Sequence, residues 1–218
     1  MGTLGHYPTI GHLPAEAPVF PLAGALLLPR ARLPLNIFEP RYLVMVDDAL
    51  AGDRLIAMVQ PRPEAATADD APTLSAVGTV GRITAFQETG DGRYLITLTG
   101  VCRFQVAREV PVTTPYRCIA MDFSPYAGDL HAAREPVVNR QALFQALEGY
   151  LAAQQLEVDW GELEAASGEA LVNALAMMLP LGGREKQGLL QAGTVYERAR
   201  LLLDLLAMGP AEGGQSLQ

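Results

Sequence analysis

Two long runs, VGTVGRITAFQ (77–87) and RYLITLTGVCRFQVAREV (93–110), flank ETGDG, and this arrangement constrains the fold more than any other feature. Asp91-Gly92 is a strong hairpin signal, because glycine tolerates the positive φ of a tight turn. In the second run Tyr94, Ile96, Leu98, Cys102, Phe104 and Val106 share one parity, and Thr97, Thr99, Arg103 and Gln105 take the other. The alternation predicts a strand with one buried and one wetter face. Gly100 interrupts the apolar face, where a glycine lets a long strand bend as the corner of a barrel requires.

Other stretches extend the β reading from Val19 to about Phe123. VFPL, ALLLP and RLIAMVQ are short apolar runs bounded by proline and glycine, and YRCIAMDF (116–123) is placed to close the sheet. PRPEAATADDAPTLS (61–75) has little to bury and predicts a loop. LPLNIFEPRY (33–42) predicts strand, corner and helix in succession. Pro34 cannot donate to a ladder and marks a strand start or an edge. Pro40 suits the first turn of a helix, and Glu39 places a carboxylate at its positive end. Tyr42, Leu43, Val46 and Leu50 follow at helical spacing, and Gly52 ends the segment.

After Pro125 the period changes to that of helices. Residues 136–155 repeat apolar side chains at three and four, through Leu143, Leu147, Tyr150 and Leu151. Ser167 caps a second helix that stops near Pro180, GREKQGLLQA gives one or two turns, and Thr194 with Glu197 forms a capping box before a Gly209-Pro210 stop. The expected organisation is α+β: a flexible tail over 1–17, a β-rich domain over 18–125, a helical bundle over 126–208 and a frayed end over 209–218.

The net charge of −8 lacks the basic footprint that phosphate binding demands, so no nucleic-acid partner is expected. Two cysteines, Cys102 and Cys118, are too few for a disulfide scaffold and read as buried free thiols in a reducing compartment. The first residues carry no basic stretch followed by an apolar one, and no apolar run is long enough to span a bilayer. The expectation is a soluble, cytoplasmic protein with no membrane partner.

Catalytic and cofactor signals are missing. None of the four serines lies in G-x-S-x-G, and there is no phosphate-binding G-x-x-x-x-G-K-[ST]. A serine–lysine dyad would need Lys186, which reads as solvated in a charged turn. His131 and Glu135 have i, i+4 spacing but Pro136 follows them. Asp47 and Asp48 read as a solvated helix face. No catalytic residue, metal ligand or cofactor is expected. Phe20, Leu35, Ile37 and Phe38 admit two readings, a groove for a peptide or plain core. Arg41 pairs with Glu39 or caps a carbonyl. Tyr126 and Trp160, near the expected domain junction, belong to a groove or seal the two domains together.

Three separated blocks, VFPLAGALLLPRARLPLNIFEPRYLVMVDDALAGDRLIAMV, VGTVGRITAFQETGDGRYLITLTGVCRFQV and EKQGLLQAGTVYERARLLLDLL, resemble in order the amino-terminal domain of Lon proteases. The resemblance covers roughly residues 18–208, and LPLNIFEPRY is its most specific part. It implies a PUA-like antiparallel β pseudo-barrel with an inserted short helix, followed by a helical bundle. Lon proteins continue into an ATPase module and a Ser-Lys protease, whereas this chain ends at Gln218 with neither motif. The resemblance therefore implies a stand-alone, non-catalytic module that binds unfolded or tagged polypeptides, acting as adaptor or regulator, with a full-length Lon-type protease as partner. Leu35, Phe38, Glu39, Arg41, Tyr42, Tyr126 and Trp160 are the candidate binding residues. PUA-like barrels also serve RNA recognition, which is the alternative function.

Overall fold

The computed structural model describes residues 7–62, 72–131 and 138–209. Most of the expected 61–75 loop, both chain ends and Glu135 lie outside these residues. The chain divides into two compact units, Met1–Ala132 and Ala133–Gln218.

Among its described residues the first unit holds six strands: β1 (Glu16–Pro21), β2 (Arg32–Ile37), β3 (Leu55–Pro61), β4 (Leu74–Glu88), β5 (Tyr94–Val110) and β6 (Cys118–Asp122), with helix α1 (Pro40–Ala51) between β2 and β3. Their order is β2-β5-β4-β3-β1-β6, and β5 also pairs with β6. Five strands thus form a hydrogen-bonded circuit, with β2 attached outside it. The sheet is mixed, which corrects the expected all-antiparallel arrangement: β1 runs parallel to β3, Val19 opposite Ala57. Parallel neighbours need a long crossover, and the β2–α1 excursion supplies it.

The hairpin forms where Asp91-Gly92 placed it, with Gly92 at φ 78° and the Gly92 amide donating to the Thr89 carbonyl at 3.1 Å. In β5 the alternation holds up to Thr99, and then Gly100 to Phe104 are all buried. Val101 has no partner in the β4 register, which passes from Cys102 opposite Val80 to Gly100 opposite Gly81. At this bulge a Cβ on Gly100 would stand 2.1 Å from the Leu28 carbonyl oxygen. The bend therefore serves a close approach: Arg30 N–H donates to the Gly100 carbonyl at 2.8 Å, and Gly100 N–H to Ala31 at 2.9 Å. Leu26, Leu27 and Leu28 are buried in irregular chain and not in the strand expected from ALLLP.

The core of this unit includes Val19, Ala57, Val80, Cys102, Phe104 and Ile119. Tyr7 and Leu13 belong to it as well, so the described part of the expected 1–17 tail is packed, and Glu16 and Ala17 already stand in β1 opposite Ala120 and Ile119. Two apolar side chains with core space to fill outweigh the entropy of a free tail. A 3-10 segment, Ser124–Leu130, lies in this unit next to β5, whereas the sequence placed it with the helices.

The second unit contains α2 (Arg140–Gln154), α3 (Trp160–Ala165), α4 (Gly168–Met178), α5 (Gly183–Gln191) and α6 (Val195–Met208). α6 packs against α2, α4 and α5. Ser167 caps α4 by accepting from the Ala170 amide, and the Thr194–Glu197 box opens α6. The short α3 was not anticipated; its Asp159 cap accepts from Glu162. Lys186 is buried, which corrects its reading as solvated. Its ammonium donates to the Met177 carbonyl at 3.4 Å, and burial pulls its pKa below the usual lysine value. Arg198, also buried, donates to the Leu189 carbonyl and to Asn173 Oδ1, both at 2.9 Å.

Candidate functional site

Beyond the Gly100 bulge the β4–β5 hairpin projects past the circuit, and β2 lies along it. Arg32 to Ile37 pair antiparallel with Thr99 to Tyr94. A second register shift, at Thr84, follows Ile83 opposite Leu98. From Thr84 to Glu88 every residue of β4 is exposed. An open groove of about 470 Å³ crosses the three strands. Pro34, Leu35 and Asn36 line it from β2, Ala85, Phe86 and Gln87 from β4, and Leu95, Ile96 and Thr97 from β5.

The groove region exposes apolar surface that no core demands. Phe86 is 43% exposed and Leu95 42%. Phe38, at the end of β2, is 61% exposed, with the Arg93 guanidinium 5.9 Å from its ring centre. Phe86 meets Tyr94 edge-on, centres 5.0 Å apart. Tyr94 bonds Asp47 of α1, whose carboxylate holds the phenol above its usual pKa. Clustered large apolar side chains at a surface mark an interaction site more often than chance.

Of the candidate residues, Leu35 lines the groove and Phe38 stands at the end of the same strand. Glu39 and Arg41 sit next in the chain and pair with each other, Nε to Oε2 at 3.0 Å. Glu39 is the N-cap residue of α1 but makes no side-chain cap hydrogen bond. Tyr42 is buried and packs edge-on against Phe20 at 4.5 Å, and burial raises its pKa. Phe20 and Ile37 are likewise core. Tyr126 and Trp160 lie in different units. Tyr126 packs on the core of the first, 4.5 Å from the Arg103 guanidinium, and Trp160 meets Phe144 edge-on at 6.0 Å in the second.

The sequence reading missed Phe86 and Leu95. Leu95 did carry a signal: it is the one leucine on the parity of Thr97, Thr99 and Gln105.

Elsewhere several polar groups are engaged in structure. Arg103, expected on the wetter face, is buried against Asp129, with Nε to Oδ2 and Nη2 to Oδ1 both at 2.8 Å. The Arg103 amide also donates to Asp129 Oδ2 at 3.0 Å. Cys102 is buried and its thiol is pushed up to about 12, chiefly by burial and then by Asp129. Cys118 is only half-buried, and both thiols are free. Asp48 accepts from the Tyr116 hydroxyl at 2.6 Å, so this carboxylate is not simply solvated. Burial, then that bond and charge, push Tyr116 up to about 12. Among the described residues no three His, Cys, Asp or Glu side chains converge as a metal site requires, and no helix is long and apolar enough to cross a membrane.

Residues 16–208 match the family model of the ATP-dependent protease La (LON) substrate-binding domain. Lon protease 2 of Myxococcus xanthus is 26% identical over 206 residues, 89% of this chain and 24% of that protein. The chain thus spans about a quarter of the length of this curated relative. A crystal structure of a Lon N-terminal domain protein from Xanthomonas campestris superposes with TM-score 0.59 at 25% identity, covering 89% of this chain and 99% of that one. The N-terminal domain of Mycobacterium avium complex Lon protease shares the fold, with TM-score 0.59 at 15% identity, covering 88% of this chain and 98% of that one.

Proposed function

The chain belongs to the Lon substrate-binding domain family, and we propose that it is a polypeptide-binding module without chemistry of its own, an adaptor or regulator in proteolysis. The observation that supports this reading is the groove where β2 flanks the β4–β5 hairpin. Its exposed Leu95, and Phe86 with Leu35 on the opposite face of the same strands, offer apolar contact to side chains that a folded protein hides and an unfolded one presents. Glu39 and Arg41 border that surface, while Tyr42, Tyr126 and Trp160 support packing. Unfolded or tagged polypeptides are the clients, and a full-length Lon-type protease is the partner to which they are passed. On this reading the strand circuit is a PUA-like pseudo-barrel, the helices form a bundle, and the protein acts in the cytoplasm.

Fluorescence anisotropy with labelled, unfolded casein and with a labelled native globular protein tests the reading. Micromolar binding of casein alone is expected, weakened about tenfold by Phe86→Ser. Equal binding of both probes, or of neither, rejects it. Retention of RNA that falls steeply with salt would favour the RNA-binding alternative.

A further inference from the structure

Among the described strands β2 alone has a neighbour on one side only along its whole length, because the other five close on themselves below the projecting hairpin, where β4 is unpaired on its outer side only beyond Ile83. Proteins usually cover or blunt such an edge, since its free N–H and C=O groups template another strand. Here the direction of those groups can be read. The Ala31 carbonyl accepts from Gly100 of β5, so alternation turns Arg32, Pro34 and Asn36 outward. Pro34 fits that assignment, because an outward position loses no ladder bond by lacking N–H. The open edge therefore presents the amides of Arg32 and Asn36 and three carbonyls. Arg32 is exposed and has no ion-pair partner among the described residues. Its side chain leaves the same face of the sheet as those of Pro34 and Asn36, which line the groove.

We propose that this chain takes up its client by strand addition: an extended polypeptide segment hydrogen-bonds along the open edge of β2, setting an acidic side chain against Arg32. The inference rests on the polypeptide-binding reading above and specifies its mode. Backbone bonds supply sequence-independent affinity, the groove takes apolar side chains on one face of the added strand, and Arg32 fixes its register. A client held this way must be extended, which excludes helices and folded domains without any reading of sequence.

Amide hydrogen exchange, followed by NMR on the wild-type protein with and without saturating unfolded casein, tests this. The Arg32 and Asn36 amides should exchange at least about tenfold more slowly with casein bound, while the Leu35 amide, directed at β5, should change little. Unchanged exchange at Arg32 and Asn36 while casein binds overturns strand addition and leaves the polypeptide reading standing. No casein binding overturns both. Protection without casein that grows with protein concentration assigns the edge to a second copy and also overturns the proposal. In parallel, Asn36→Pro should weaken casein binding about tenfold, and severalfold more than Asn36→Ala, which trims the side chain but keeps the amide; equal losses in the two variants overturn the edge bond. If Asn36→Pro fails to fold, the exchange result decides. Arg32→Glu should weaken casein binding severalfold at low salt, and an unchanged affinity removes the acidic contact from the proposal.

Discussion

Within the circuit, the β4–β5 ladder is buried on both faces: Gly78, Thr79 and Val80 of β4 face Phe104, Arg103 and Cys102 of β5, all buried. Seven residues towards the hairpin tip the same two strands carry Ala85, Phe86 and Gln87 opposite Thr97, Ile96 and Leu95, and four of these six are exposed. The inner half spends its side chains on packing, to the point of burying an ion pair. The outer half keeps large apolar groups where packing does not use them. One pair of strands thus combines a rigid base with a surface left free for a partner, and each half responds differently to substitution.

The largest effect is expected at the base. Asp129→Ala removes the carboxylate that neutralises the buried Arg103 guanidinium, which costs about 3–5 kcal/mol. Urea unfolding should show that loss, and the double variant Arg103→Met with Asp129→Ala should recover most of it. A double variant as unstable as the single one would mean that the pair does more than neutralise itself. Gly100→Ala comes next. Its methyl would meet the Leu28 carbonyl oxygen at 2.1 Å, and backbone cannot retreat as a side-chain tip can, so about 1–3 kcal/mol should be lost. Thermal melts of Gly100→Ala beside Gly90→Ala, where a Cβ meets nothing within 4 Å, provide the contrast.

The base should also set the alkaline limit. The folded pKa of Cys102 is raised from 9.0 to about 12. Above pH 9 the unfolded chain loses that proton while the folded chain keeps it, so the folded state binds more protons and stability falls as pH rises. Tyr42, Tyr116 and Tyr150 are raised by burial and act in the same direction. Stability should therefore decline between pH 9 and 12, and Cys102→Ala should make the decline shallower. At pH 8 only about one Cys102 in ten thousand is thiolate when the pKa is about 12. An alkylating reagent should thus modify half-buried Cys118 first and Cys102 only on unfolding, with peptide mapping as the readout.

What the sequence made legible was local. Asp91-Gly92, Pro34, Pro40, Ser167 and the Thr194–Glu197 box each act within a few residues, and each sits where its chemistry placed it. What it hid depends on chain segments meeting at a distance. Arg103 kept the parity of a wet face, yet Asp129, twenty-six residues on, covers it. The parallel β1–β3 pair is invisible to any reading of single strands. Lys186 looked solvated because its neighbours in sequence are charged, while the fold buries it. The groove needs β2, β4 and β5 side by side, and of its lining only Leu35 was among the candidate binding residues.

The smallest stability change is expected at the tip. Leu95→Ser removes a side chain that is 42% exposed from a strand whose ladder bonds are backbone and stay in place. Exposed substitutions of this kind usually move stability by about 0.5 kcal/mol or less, and serine's weaker β propensity adds only a fraction of that. Casein affinity should nonetheless fall several-fold, because the lost surface lies in the groove. The pair of measurements, a melt and an anisotropy titration on one variant, therefore separates the two halves of the ladder. If Leu95→Ser melts well below wild type, Leu95 is packing like the base, and the outer half is a continuation of the core. If both stability and affinity are untouched, the groove is not where the client lies, and the open edge of β2 must hold it by backbone alone.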